Sequence, residues 1–253
     1  MQNRIKKLFE EKKENILSIF FTAGFPTLND TLLVLEALAQ SEADMIEIGI
    51  PFSDPLADGP IIQESSKVAL ENGMNLNLLF QQLKGLRSVT QKPVLLMGYF
   101  NSVLQYGINN FYNKCSEVGV DGVILPDLPL DEFERHHKDI TAKLNIKVVF
   151  LISPETKANR VKQLDEASGG FLYLLSSNST TGGSKGISKK VVQTDFPLKN
   201  PVLIGFGIKG HKEFTEACEK ANGAIIGSAF IELIAKSKNF KKDIAQFIES
   251  VKN

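Results

Sequence analysis

The chain is poor in the residues that build metal sites and disulfides. Its 253 residues include two cysteines, Cys115 and Cys218, and three histidines, His136, His137 and His211. The cysteines lie far apart and form no CxxC, so they read as buried thiols in a reduced cytosol. The histidines have no ligand spacing with acids or cysteines, which argues against a metal site. His136 and His137 read instead as a solvated helix face. An excess of one charge is also missing: 29 basic side chains balance 29 acidic ones. That balance speaks against a nucleic-acid or membrane footprint. It also does little to resist self-association, so a partner surface is compatible with it. No apolar run approaches the length of a membrane span. The segment from Met1 to Asn15 is rich in Lys and Glu and has no signal-peptide core, so a cytoplasmic protein is expected. No long linker, low-complexity tract or charge block divides the chain, and one domain over residues 1–253 is expected.

What is present is a repeated unit. Eight short apolar runs occur: Leu17–Thr22, Asp44–Ile50, Pro93–Tyr99, Gly122–Leu125, Lys147–Ser153, Gly170–Ser176, Pro201–Gly207 and Ala224–Gly227. Each is followed by a helical pattern. The runs are continuous rather than alternating, which marks strands covered on their outer face. The helical patterns are amphipathic, as in Thr31–Ala39, Ile231–Ala235 and Ile244–Val251. Strict βα alternation means a parallel sheet. An open doubly wound sheet normally carries a glycine-rich dinucleotide turn after its first strand, and Thr22-Ala23-Gly24-Phe25-Pro26 is no such fingerprint. The expectation is therefore an α/β fold, a closed single-domain (β/α)8 TIM barrel, with its active-site groups at the C-terminal ends of the strands.

Two carboxylates stand out. Glu47 lies inside the apolar run Met45–Ile50, and Asp58 follows in the segment Pro51-Phe52-Ser53-Asp54-Pro55-Leu56-Ala57-Asp58-Gly59-Pro60. Strand alternation puts Met45, Glu47 and Gly49 on one face. A buried carboxylate is costly unless it has a partner or a job. Gly49 leaves the path from Glu47 to the strand end open, which suits a catalytic acid/base. The alternative is a structural carboxylate paired with a Lys or Arg across the barrel. Asp54 and Asp58 have alternatives of their own, as turn-forming or helix-capping residues. Three glycine-rich spots fall after the last three strands: Thr181-Gly182-Gly183, Gly205-Phe206-Gly207 and Gly227-Ser228. Barrels often bind phosphate there, through free backbone N–H groups and the positive end of a helix dipole, and Ser228 is placed to cap that helix. The alternative is that these glycines only turn the chain. The spacing of a Walker A loop is absent. The Gly182–Gly186 segment has the composition of a water-excluding lid. Phe20, Tyr99 and Tyr173 offer apolar surface near strand ends, and Phe52 follows the second strand. Asp127 closes the fourth, as an outer acid or a turn residue.

The run from Glu47 to Pro60 resembles the signature of the tryptophan synthase α subunit family, and the similarity extends over nearly the whole chain. It includes Phe20–Pro26, Leu95–Asn101, Tyr173–Ser176, Thr181-Gly182, Gly205–Ile208 and Gly227-Ser228-Ala229. The resemblance implies cleavage of indole-3-glycerol phosphate to indole and glyceraldehyde 3-phosphate. It implies Glu47 as the acid/base and Asp58 as the carboxylate near the indole N–H. It places phosphate at Gly182, Gly207, Gly227 and Ser228, and indole at Phe20, Tyr99 and Tyr173 with Asp127 on the rim. Thr181 matches the lid threonine that orients Asp58. It further implies an α2β2 assembly with a β subunit that holds pyridoxal phosphate, docked through Pro51–Pro60, and no cofactor in this chain. Family members often carry an Arg and an additional Gly where this chain has Ser177–Thr180, while Thr181-Gly182 is retained. Gly98 and Phe100 flank Tyr99. The alternatives are a stand-alone lyase of the same fold and a non-catalytic activator of a β subunit; the second has no need of both carboxylates.

Overall fold

The structure, a computed structural model, describes residues 2–175, 194–205 and 207–253. Eight strands follow one another: β1 Ile16–Thr22, β2 Met45–Gly49, β3 Val94–Met97, β4 Gly122–Ile124, β5 Lys147–Ile152, β6 Leu172–Leu175, β7 Val202–Gly205 and β8 Gly223–Ile226. All pair in parallel, each with its neighbour in sequence, and β8 closes onto β1. Every residue of β1 and β2 is buried. One face looks into the barrel and the other meets helices, which is why these strands read as unbroken apolar runs. The outer layer includes Asp30–Gln40, Pro60–Glu71, Ile108–Val118, Ala158–Ala167, His211–Cys218 and Phe240–Lys252.

The end of the barrel where the strands begin is closed by the helix Arg4–Glu11. Asn3 caps it, accepting from the Ile5 N–H at 3.0 Å. The Asn3 amide also donates to the carbonyls of Asp121 and Asn145, both at 2.9 Å. Ile5 is fully buried. A Cβ at Gly122 would lie 2.8 Å from Ile5, and one at Gly170 2.9 Å from it, so both glycines make room for this plug. Asp121 locks the arrangement. Its carboxylate is 4% exposed and takes Arg4 Nη1 at 3.1 Å and Arg87 Nη2 at 2.5 Å. It also accepts the Val94 N–H at 3.0 Å.

Two sequence expectations need correction. His137 does not belong to a solvated face: it is fully buried at the end of a π-helical turn, Phe133–His137. Its Nδ1 is 2.9 Å from the Tyr112 hydroxyl, and its ring packs on Phe100 at 5.3 Å. Adjacent helical positions point in different directions, so His136 meets solvent while His137 meets the core. Of the two thiols, Cys115 is buried but Cys218 is only half-buried. Among the described residues, no helix is long and apolar enough to cross a membrane.

Asp121→Asn keeps the shape of the clamp but removes the charge that two guanidinium groups share. It is expected to cost roughly 2–4 kcal/mol of stability in urea unfolding. An unchanged midpoint would mean the N-terminal helix is held by apolar packing alone.

Candidate active site

Glu47 occupies the middle of β2, with Phe20 of β1 as its register partner on one side and Leu95 of β3 on the other. It is fully buried. None of the ion pairs among the described residues includes it, so the reading of a structural Lys or Arg partner finds no support there. Its bonded neighbour is a hydroxyl: Ser18 Oγ donates to Glu47 Oε1 at 2.6 Å. Oε2 meets no hydrogen-bond partner among the described residues. Burial pushes the carboxyl up to about 7, against a smaller downward pull from the Ser18 bond. Gly49 does leave space, as the sequence suggests, but Phe20 uses it. A Cβ at residue 49 would sit 2.6 Å from the Phe20 ring. Passage from Glu47 to the strand end therefore runs beside that ring.

Asp58 is half-buried in the loop between β2 and the helix Pro60–Glu71. Gly59 occupies the cap position and no side chain caps the helix, so Asp58 does not serve as a simple cap. Its Oδ2 instead accepts from the Tyr99 hydroxyl at 3.0 Å. Burial raises it to about 6, and the Tyr99 bond opposes that rise. Tyr99 itself accepts the Ala57 N–H at 3.0 Å and stacks on Phe52 at 4.9 Å between ring centroids. The loop is thus fastened to the end of β3 through one phenol. Asp54 points elsewhere, accepting from Ser53 Oγ at 2.5 Å. Asp127 is exposed and accepts the Phe100 N–H at 2.8 Å, at the first turn of the helix Phe100–Tyr106.

A cavity of about 320 Å³ opens at the C-terminal ends of the strands. Phe20, Asp58, Tyr173, Gly207, Gly227 and Ser228 all line it, so residues more than 200 positions apart in the chain meet there. Its size falls in the range of small-molecule sites, about 300–1,000 Å³. Tyr173 is buried, which raises its pKa, and both Glu47 and Asp58 push it up further. A Cβ at Gly205 would fall 2.1 Å from the Tyr173 hydroxyl, so β7 needs a glycine where β6 supplies this ring. Gly207 has φ +77°, a conformation that glycine takes without strain. Ser228 is the first residue of the helix Ser228–Lys236 and Gly227 is its cap, so Ser228 does not cap that helix. Its N–H and those of the next residues have no intrahelical acceptor and carry the positive end of the dipole. Glu47, Tyr99 and Asp127 do not line the cavity. Thr181 and Gly182 lie outside the described residues, as does Phe206.

Residues not singled out in the sequence also enter the site. Ile62, Met97, Ile208 and Ile225 add apolar wall, and Lys209 adds a cation beside Gly207. Ser18 reaches Glu47 from β1. The signal for Ser18 is present in the sequence, since it shares the inward face of β1 with Phe20. Among the described residues, no group of three or more His, Cys, Asp and Glu could hold a metal ion.

The fold and cavity define a closed (β/α)8 barrel with a small-molecule-sized cavity at the C-terminal ends of its strands. The family model for the tryptophan synthase alpha chain matches residues 6–253. A tryptophan synthase alpha chain from Flavobacterium psychrophilum is 49% identical, with 98% of this chain and 99% of that one covered. The crystal structure of tryptophan synthase subunit alpha from Legionella pneumophila superimposes with a TM-score of 0.86 at 32% identity, covering 100% of this chain and 98% of that one. A chain of the tryptophan synthase complex from Pyrococcus furiosus gives a TM-score of 0.81 at 31% identity, over 95% of this chain and 98% of that one. The chain belongs to the tryptophan synthase alpha chain family.

Because folding raises the Glu47 pKa from 4.5 to about 7, its contribution to stability is full below pH 4.5 and is lost as pH rises through about 7. Glu47→Gln removes this loss. The variant is expected to be more stable than wild type above neutrality, by on the order of 3 kcal/mol, with the gap closing toward acid pH. Urea unfolding across that range reads the difference. Parallel pH curves for the two proteins would mean that Glu47 is already ionised in the fold.

Proposed function

We propose that Glu47 and Asp58 carry the chemistry of this chain at the cavity lined by Phe20, Tyr173, Gly207 and Gly227. A tryptophan synthase alpha chain catalyses the indole-3-glycerol phosphate cleavage half-reaction, and that is the activity of this chain. The observation that carries the residue assignment is the placement of the two acids: Glu47 is fully buried with Oε2 unbonded among the described residues, and Asp58 lies on the cavity wall, bonded to Tyr99. Two carboxyls, one buried and one on the cavity wall, are suited to different roles. The more buried Glu47 holds a proton near neutrality and delivers it to indole C3. The ring becomes a cationic electron sink. Glu47, now a carboxylate, takes the proton of the side-chain hydroxyl. The carbonyl of glyceraldehyde 3-phosphate forms, the C–C bond breaks, and its electron pair returns to the indole ring. Asp58, ionised at neutral pH, faces the indole N–H and stabilises the charge that develops there.

The phosphate is held at the other wall of the same cavity. Gly207 and Gly227 allow close backbone approach, Ser228 donates from the helix start, and Lys209 supplies charge. Gly182 completes that set, and Thr181 orients Asp58. Phe20, Tyr99 and Tyr173 shape the indole end, with Asp127 holding the Tyr99–Phe100 turn in register. The chain works as one domain over residues 1–253 in the cytoplasm, without a cofactor of its own. It pairs in an α2β2 assembly with a β subunit that binds pyridoxal phosphate and receives the indole. The loop Pro51–Pro60 is the docking segment. Leu56 in it is 89% exposed, and an apolar groove of about 420 Å³ lined by Phe52, Leu70, Met74 and Tyr106 lies beside it. Exposed apolar surface of this kind marks a partner site.

Indole release from indole-3-glycerol phosphate, with and without an added β subunit, tests this reading. Slow release that rises strongly with β is expected. Glu47→Gln should retain ligand binding and lose about 10²–10⁴-fold in rate. Substantial turnover in that variant would remove Glu47 from its role. Gly207→Val should raise KM with a smaller effect on kcat, because the side chain crowds the phosphate and strains a positive φ. An unchanged KM would place the phosphate elsewhere. Asp54→Ala should weaken activation by β more than the basal rate, and equal loss of both would refute the docking assignment.

A further inference from the structure

We propose that Ser18 is the positioning residue for Glu47: its hydroxyl fixes Oε1, so that Oε2 is the oxygen that gives and takes the proton. The proposal rests on the acid/base role of Glu47 stated above. Ser18 is fully buried in a strand whose neighbours Leu17 and Ile19 are fully buried apolar side chains. A hydroxyl in that setting is costly unless it is bonded, and it is bonded to Glu47 Oε1 at 2.6 Å. That length is typical of a hydroxyl donating to a carboxylate. Ser18 lies two residues before Phe20, the register partner of Glu47, so it approaches on the same inward face. Oε2 is left without a hydrogen-bond partner among the described residues. The two oxygens are therefore not equivalent. One is tied to the wall of β1, and the other is held by no hydrogen bond among the described residues.

The proton balance follows. Oε2 gives its proton to indole C3 and then receives the proton of the substrate hydroxyl as the C–C bond breaks. Glu47 ends in the state in which it began. Throughout the cycle the Ser18 bond limits rotation of the carboxylate, which is the geometric precision that proton transfer to carbon requires. The same bond opposes the effect of burial on Glu47. Tyr173 of β6 is the titratable group that feels the charge of Glu47, and it feels that of Asp58 as well. Burial disfavours the Glu47 charge, and the Ser18 bond is the interaction that eases ionisation. Removing its hydroxyl raises the Glu47 pKa further. Since cleavage starts from protonated Glu47, the alkaline limb of the rate profile moves to higher pH.

Ser18→Thr and Ser18→Val test this as a pair, because they share a shape and differ by the hydroxyl. Both are measured with the β subunit present, for kcat, KM and the pH profile. Glu47 is titrated directly by NMR on carboxyl-labelled protein without substrate. Ser18→Val is expected to lower kcat about ten-fold with KM little changed, and to shift both the alkaline limb and the titration up by about one pH unit. Ser18→Thr is expected to retain wild-type values in all three. Equal behaviour of the two variants, or a faster Val variant, overturns the proposal. Glu47→Gln is run in parallel: an inactive Gln variant together with equal Thr and Val variants removes only Ser18, whereas an active Gln variant removes the Glu47 assignment itself. Ser18→Ala gives the same comparison against Thr if the Val variant does not fold.

Discussion

A carboxylic acid in the centre of an apolar barrel, with one hydroxyl bonded to it and no cation paired with it among the described residues, sets the terms for the whole site. Desolvation at Glu47 is the largest force acting on the group, and it holds the carboxyl near 7. The acid is thereby kept able to both lose and regain a proton at neutral pH. A basic partner would stabilise the carboxylate and remove that balance. The apolar surroundings contributed by β1, β2 and β3 therefore set the proton affinity of this carboxyl as well as forming the core.

Glycines and rings interlock to build the cavity above this acid. Phe20 lies over Gly49, and Tyr173 lies over Gly205. In each case one strand supplies an aromatic side chain and another gives up a Cβ to receive it. The result puts Glu47 behind the cavity wall and Asp58 on it. Burial raises both carboxyls well above their ordinary values, Glu47 to about 7 and Asp58 to about 6. Tyr99 ties the Asp58 loop back to β3, so the second carboxylate has a defined place although it sits in a loop.

The two ends of the barrel are built for different purposes. At the strand starts, Asn3, Arg4 and Arg87 converge on Asp121, and Ile5 fills the floor. Polar groups there are bonded to each other and hold the N-terminal helix in place. At the strand ends the opposite holds. Leu56 is exposed, Gly227 and Ser228 line the cavity, and the first N–H groups of the helix Ser228–Lys236 have no intrahelical acceptor. Groups left unsatisfied at this end are the ones a substrate or partner would engage.

Much of this is legible in the sequence. Eight apolar runs at regular intervals predict the strands to within about two residues at most ends, because burial on both faces imposes unbroken hydrophobicity. A carboxylate inside one of those runs is conspicuous for the same reason, and so are glycines after the final strands. What the linear pattern does not contain is which side chain fills which space. Gly49 reads as an open path, yet Phe20 from another strand occupies it. His137 reads as solvated beside His136, yet Tyr112 and Phe100 enclose it. Ser18 is an unremarked polar residue until the register of β1 against β2 brings it to Glu47. The sequence by itself determined the barrel and the identity of its acids, since period and burial are properties of each strand alone. Only the tertiary structure decided their partners and protonation, since desolvation and hydrogen bonding depend on groups brought together by the closure of the barrel.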